Sequence, residues 1–347
     1  MKRFFSLFLL LLLLLCSGCS APTVGDTGTF NEFFAMDTIM RVTVHGDAGE
    51  PAASAAREEI ERLEKLLSRT LPDSQVSQLN AHAGEEDAVA LEGDLISLLT
   101  FARSLSADLD DALDITIAPV MDAWGFTTDH HQIPTQAQLD ALLPLVDCQA
   151  LEIDPQAGTA RLPNVGMAVD LGAVAKGFAA GRAESVIRAA GADSALLDLG
   201  RNITAIGVKP TGEPWRVAVQ DPQDSNLYLG VLALTDQTCS TSGGYERYFE
   251  EDGVVYHHII DPSTGYPAHS GLLSVTVVSP DALLADALST ALFVAGPERA
   301  LDYWRREGGF ELILCGEDGV VTATEGLEDA FAFQGEDGGY TYEIARR

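Results

Sequence analysis

The run SALLDLGRNITAIG (Ser194–Gly207) is followed by WRVAVQDP (Trp215–Pro222), LYLGVLALTDQTCSTSG (Leu227–Gly243) and VVYHHIIDP (Val254–Pro262). Each is rich in β-branched, aromatic and other apolar residues, and each is bounded by glycine, proline or aspartate, so each reads as a strand. LLSVTVVSP (Leu272–Pro280) continues the series. Strands that follow one another without strict βαβ alternation favour an α+β architecture over a doubly wound parallel sheet.

Upstream, FFAMDTIMRVTVHG (Phe33–Gly46) alternates and reads as one early strand. AASAAREEIERLEKLLSRTL places Ile60, Leu63, Leu66 and Leu67 at helical spacing, and Asp73 or Ser74 is placed to cap the next helical turn. EGDLISLLTFARSLSADLDDALD is a second helix, with Leu95, Leu98, Leu99 and Ala102 on one face, and a short helix starts near Pro134. Two strand-like runs flank a turn at Pro155–Gly158. AVAKGFAAGRAESVIRAAG is a helix closed by Gly191. Downstream come the helices DALLADALSTALFVAG and ERALDYWRREG, then closing strands within Phe310–Gly326 and Phe331–Ala345. No internal repeat is present.

The ends and the charge bound the class. MKRFFSLFLLLLLLLCSGCS has Lys2 and Arg3, an apolar run from Phe4 to Leu15, then small residues, which is the layout of an export signal. CSGC resembles a bacterial lipobox ending at Cys19, with Cys16 where leucine is usual; an ordinary cleaved signal is the other reading. Residues 20–29 read as a flexible tether and 30–347 as a single domain. The chain therefore reads as exported and lipid-anchored on the extracytoplasmic face of the cell membrane. A net charge of −31 over 347 residues excludes nucleic acid as a partner. It also means that an anionic ligand needs a metal ion, a lysine or backbone N–H groups. Cys148, Cys239 and Cys315 fit no zinc spacing; one disulfide among them is the alternative to the preferred reading of isolated buried thiols.

Five stretches carry candidate chemistry. DLGAVAKGFAAG (Asp170–Gly181) runs into a helix holding Lys176, which is either an anion site or an ordinary junction. In DALLADALSTALF, Asp286 and Thr290 share a helix face and offer oxygen ligands suited to Mg²⁺, with a hydrogen-bonded structural aspartate as the bland reading. In DDALDITIAPVMDAWGF, Trp124 and Phe126 wall a planar ligand or belong to the core. STSGGYERYFEEDG is rich in hydroxyls and backbone donors, a weak signal for a phosphate cradle. His257 and His258 are adjacent on a strand and point to opposite faces, which argues against a shared metal.

Taken in order, MDTIM, LPDSQVSQLNA, DALDITIAPVMDAWGF, VDLGAVAKGFAAG, LLDLGRNITAIG, PWRVAVQDP, CSTSGGYERYF, HHIIDPSTGYP and ADALSTALFV resemble the ApbE family of FAD:protein FMN transferases over about residues 30 to 330. The resemblance implies an α+β, T-fold-like arrangement of mixed sheets with packed helices and an FAD cleft between lobes. It implies Mg²⁺-dependent transfer of FMN from FAD to a threonine or serine of a target protein, probed against two alternatives: FAD pyrophosphatase activity, or flavin binding without turnover. Mg²⁺ ligands would be Ala173 (carbonyl), Asp286 and Thr290, with Ser289 as a further contact. FAD contacts would be Met36, Thr70, Ala112, Leu113, Asp114, Asp170, Lys176 and Ile260. His258 would stand next to the reacting phosphate, and His258 and Asp286 would be the catalytic pair. The family's clients are usually membrane redox subunits. Asp37, Thr70 and Arg201 depart from the family pattern, which has glycine, an aromatic and glycine there.

Overall fold

The computed structural model describes residues 28–128 and 130–347. The readings of an export signal and a lipobox lie outside the described residues, as does most of the tether; Thr29, its last residue, already pairs with Val44 in a strand.

In chain order the elements are β1 (Thr29–Ala35), β2 (Thr38–Val44), α1 (Gly49–Leu67), α2 (Gln75–Ala81), β3 (Val89–Ala90), α3 (Gly93–Asp108), α4 (Ala118–Trp124) and α5 (Gln136–Leu142). They continue with β4 (Glu152–Asp154), β5 (Thr159–Arg161), α6 (Ala175–Ala189), β6 (Ala195–Leu199), β7 (Asn202–Ile206), β8 (Trp215–Gln220), β9 (Tyr228–Leu234) and β10 (Gln237–Gly243). The last are β11 (Tyr248–Glu251), β12 (Val254–His257), β13 (Leu272–Ser279), α7 (Ala282–Ala295), α8 (Pro297–Glu307), β14 (Glu311–Gly316), β15 (Val320–Thr324), β16 (Phe331–Phe333) and β17 (Thr341–Ala345).

One nine-stranded sheet has the order β1-β2-β6-β7-β10-β13-β14-β15-β17. Its pairings are antiparallel except β15 with β17. Strands β13 and β14 carry apolar residues on both faces, because both faces are covered there. Val275, Val277, Leu312 and Leu314 face a core built with α1, α3, α6, α7 and α8. Val278, Ile313 and Cys315, one residue out of step, face a second core shared with the small sheet β16-β9-β8. The fold is therefore α+β, as expected from the unbroken run of strands.

The early strand expected over Phe33–Gly46 is instead a hairpin, and Ser194–Gly207 likewise folds back on itself. Two-residue turns do this. Met36 and Asp37 take φ 48° and 60°, and Gly200 and Arg201 take φ 63° and 74°. Hairpin turns of this hand need positive φ at both central residues, and the usual signal is Asn-Gly or Asp-Gly. Met-Asp and Gly-Arg carry little of that signal, so periodicity alone ran straight through them. The cap of α2, by contrast, falls on one of the two residues the sequence offers, and α7 is capped in the same way. The Ser74 hydroxyl accepts the Ser77 N–H at 3.0 Å, and Asp281 accepts the Leu284 N–H at 3.1 Å.

Helices α6 and α7 cross at Gly177. A Cβ there would lie 2.4 Å from the Ala282 carbonyl oxygen and 2.5 Å from Asp286 Cβ. The close approach lets the Gly177 N–H donate to Asp286 Oδ2 at 2.7 Å. Gly177→Ala is expected to lower stability by about 1–3 kcal/mol through overpacking, read as a shifted urea midpoint, because backbone on α7 has to move to admit the methyl.

Candidate active site

A cleft of about 810 Å³ opens where the two hairpin turns, the end of α1, the start of α6 and one face of α7 converge. That size lies within the roughly 300–1,000 Å³ of sites for cofactor-sized molecules. Met36, Thr70, Ala112, Leu113, Asp114, Asp170, Ala173, Lys176, His258, Ile260, Asp286 and Thr290 all line it. Residues up to about 250 positions apart in sequence are thus brought to one cavity.

Asp286 and Thr290 share the cleft face of α7, as the four-residue spacing requires. Asp286 is 3% exposed. Its Oδ2 is held by the Gly177 N–H, whereas Oδ1 has a long 3.4 Å contact from the Ser240 hydroxyl. A buried carboxylate with an uncommitted oxygen favours a cation. Around it stand hydroxyls. Ser242 Oγ lies 3.1 Å from Thr290 Oγ1 and 2.9 Å from Ser289 Oγ. Ser289 itself is fully buried and donates to the Asp286 carbonyl at 2.8 Å, so it sits behind the lining and buttresses α7. Among the described residues no three or more His, Cys, Asp or Glu side chains gather as a metal site. One carboxylate, neutral hydroxyls and a carbonyl form an oxygen-only donor set that fits Mg²⁺, an ion that completes its shell with waters and ligand phosphates.

The two histidines part as expected. His257 ends β12, is 8% exposed and donates Nε2–H to the Ala268 carbonyl at 3.1 Å, with its ring edge-on to Phe293. His258 lies one residue past the strand and lines the cleft. Its backbone N–H and its Nδ1 both reach the Arg247 carbonyl, at 3.0 and 3.2 Å. Nδ1 therefore carries the proton and Nε2 is left as an acceptor. Desolvation, then the positive charge of Arg247, lowers its pKa to about 3.

The ApbE family profile matches residues 36–314. The chain belongs to the ApbE family. It is 33% identical over 340 residues to a Treponema pallidum protein named FAD:protein FMN transferase, covering 91% of this chain and 93% of that one. A Salmonella typhimurium protein of the same name is 34% identical over 283 residues, covering 79% and 80%. The structure of the ApbE protein from Thermotoga maritima superposes with a TM-score of 0.81 at 31% identity, over 88% of this chain and 99% of that one. The apo form of the Pseudomonas stutzeri flavinyl transferase ApbE gives 0.78 at 30%, over 89% and 98%.

Within this ApbE chain several sites deserve separate placement. Both oxygens of Asp114 serve the backbone: Oδ1 accepts from the Thr116 N–H at 2.7 Å, and Oδ2 from the Cys148 N–H at 2.8 Å. Burial raises its pKa, and its carboxylate anchors the loop whose Ala112 and Leu113 form the wall. Asp170 caps its own turn through the Gly172 N–H at 2.7 Å and meets Arg69 at 3.2 Å. Lys176 stands in the first turn of α6 with Nζ 3.5 Å from the Gly172 carbonyl. Trp124 is core, its Nε1–H bound to the Gly265 carbonyl at 2.7 Å, while Phe126 reaches the lining. Cys148, Cys239 and Cys315 are free and buried. Sequence reasoning passed over Arg69, Glu246 and Arg247. Glu246 and Arg247 fall inside the quoted hydroxyl-rich run, so charge next to a glycine turn was the available signal. Arg69 had none.

Proposed function

We propose that this chain transfers the FMN moiety of FAD to a threonine or serine hydroxyl of a target protein and releases AMP. The observation that carries the reading is the cluster of Asp286, Thr290, Lys176 and His258 in one cleft of a protein whose relatives are named FAD:protein FMN transferase. In the reaction, the bond from the FMN phosphorus to the bridging pyrophosphate oxygen breaks, and AMP leaves with that oxygen. The acceptor oxygen forms the new bond, and its proton passes to His258 Nε2. Phosphoryl transfer asks mainly for positioning and charge neutralisation. Asp286, Thr290 and the Ala173 carbonyl would hold Mg²⁺, which supplies neutralisation of the pyrophosphate when bound. Lys176 contributes a fixed positive charge at a helix start. Asp170 and Arg69 brace the segment that leads into α6, and Ile260 and Met36 supply apolar walls.

We further propose that residues 1–19 export the chain, that Cys19 anchors it by lipid on the extracytoplasmic face, and that 30–347 is one transferase domain acting on a membrane redox subunit. Incubating the protein with FAD, Mg²⁺ and a target bearing an acceptor threonine is expected to give a fluorescent target band and stoichiometric AMP. AMP with free FMN instead identifies a pyrophosphatase, and neither product a flavin-binding protein. Fractionating cells that express the full chain tests the anchor: recovery in the soluble fraction would refute it.

A further inference from the structure

The cleft is short of uncommitted positive charge. Six carboxylates line it (Asp37, Glu64, Asp114, Asp170, Glu246 and Asp286) against Arg69, Lys176, Arg201 and Arg247. Arg69 is 14% exposed and locked between Asp122 at 2.6 Å and Asp170 at 3.2 Å. Arg201 lies 3.6 Å from Glu246 and over the ring of Tyr245. Arg247 differs. Its guanidinium spans from the β11–β12 side to the β1–β2 turn, with Nη1 3.0 Å from Asp37 Oδ2 and Nη2 3.3 Å from the Asp37 carbonyl. Both partners are open to water, at 51% and 76% side-chain exposure. An ion pair so exposed contributes little and is easily exchanged. The Arg247 backbone, in contrast, is pinned, because its carbonyl holds both the N–H and Nδ1 of His258. An exposed planar cation is thus tethered beside the histidine assigned to the reacting phosphate. Guanidinium binds phosphate oxygens through paired charge-assisted hydrogen bonds.

We propose that Arg247 is a phosphate-binding residue that exchanges Asp37 for the pyrophosphate oxygens of FAD, so that Asp37 competes with the substrate and sets its affinity. The inference rests on the reading of this cleft as the FAD site. It gives the Asp37 departure a role: the turn accepts aspartate at φ 60°, and the carboxylate projects toward Arg247.

The test is steady-state release of AMP from FAD, with Mg²⁺ and a target bearing an acceptor threonine at saturation, by wild type, Asp37→Asn, Arg247→Gln and the double variant. Arg247→Gln is expected to raise KM for FAD by roughly 10- to 100-fold, with the loss carried by KM more than by kcat. Asp37→Asn is expected to lower KM by about 2- to 5-fold. In the double variant the Asp37 effect disappears, because its target is gone. A raised KM in Asp37→Asn would instead make the pair a latch that closes the cleft, and an unchanged KM in Arg247→Gln removes Arg247 from the phosphate; either overturns the proposal. Absence of FAD turnover by wild type defeats the reading of the site itself, which separates the two failures. Circular dichroism of each variant confirms folding. Arg247→Lys, which keeps the charge without the planar fork, is expected to recover only part of the affinity.

Discussion

Asp286→Asn is expected to lower AMP release from FAD by on the order of 10²–10³-fold while leaving the melting temperature close to that of wild type. The two effects separate because the carboxylate does two things. Its Oδ2 accepts the Gly177 N–H at 2.7 Å and so ties α7 to α6. Its Oδ1 is nearly uncommitted, with a single 3.4 Å contact from Ser240. An asparagine keeps an oxygen for Gly177 and presents its amide where Oδ1 stood, so the helix crossing survives and the negative charge does not. Asp286→Ala removes both. It leaves the Gly177 N–H buried without an acceptor, at about 1–3 kcal/mol, and its loss of activity would mix unfolding with chemistry. The asparagine variant is therefore the informative one. Activity is to be measured over a Mg²⁺ series. Rescue at high Mg²⁺ indicates weakened binding of the ion, and full activity at ordinary Mg²⁺ would sink the assignment of Asp286 to the metal.

Much of this site was legible because helix periodicity is a local rule. Asp286 and Thr290 lie four apart, and any helix through them puts both on one side. His257 and His258 are adjacent, and an extended chain must separate them. Strand pairing is not local, and the sequence misled where hairpins close without glycine pairs. Met36-Asp37 and Gly200-Arg201 turn back at positive φ, and these two turns, side by side in the sheet, form one wall of the cleft. Gly200 is required there: a Cβ would lie 2.6 Å from Thr38 Cγ2. Reading each run as one straight strand hid the wall. The roles of Asp114 and Ser289 were hidden for a second reason. Residue type says that a carboxylate or hydroxyl can contact a ligand, but only the fold shows that backbone N–H groups and a carbonyl have already engaged them. Arg69 and Arg247 reach their partners over 101 and 210 residues of chain, at Asp170 and Asp37, and no spacing rule covers such distances.

His258→Ala is expected to slow transfer to the acceptor hydroxyl by on the order of 10²–10⁴-fold, with FAD binding less affected than turnover. The geometry assigns the tautomer. Nδ1–H is spent on the Arg247 carbonyl, so Nε2 alone is free to accept a proton from the attacking hydroxyl. The pH dependence follows from desolvation and from Arg247, which lower the His258 pKa to about 3. A group with a depressed histidine pKa is neutral in the folded protein where the unfolded chain already binds a proton. It therefore detracts from stability as pH falls below the unfolded value near 6.5, and the effect is complete only below the folded pKa. Compared with wild type, His258→Ala should lose stability less steeply between those limits, a difference read from urea midpoints across that range. The same shift predicts that kcat/KM for wild type shows no acid limb near 6.5 from this residue, because free enzyme is already in the base form. A base held this low is weak until the dianionic pyrophosphate stands beside it and favours the imidazolium. The limb should therefore appear in kcat, where substrate is bound, at a higher pH than in kcat/KM. A kcat profile without that limb, together with undiminished transfer by His258→Gln, would leave His258 as a positioning residue and place the proton on the pyrophosphate or on solvent.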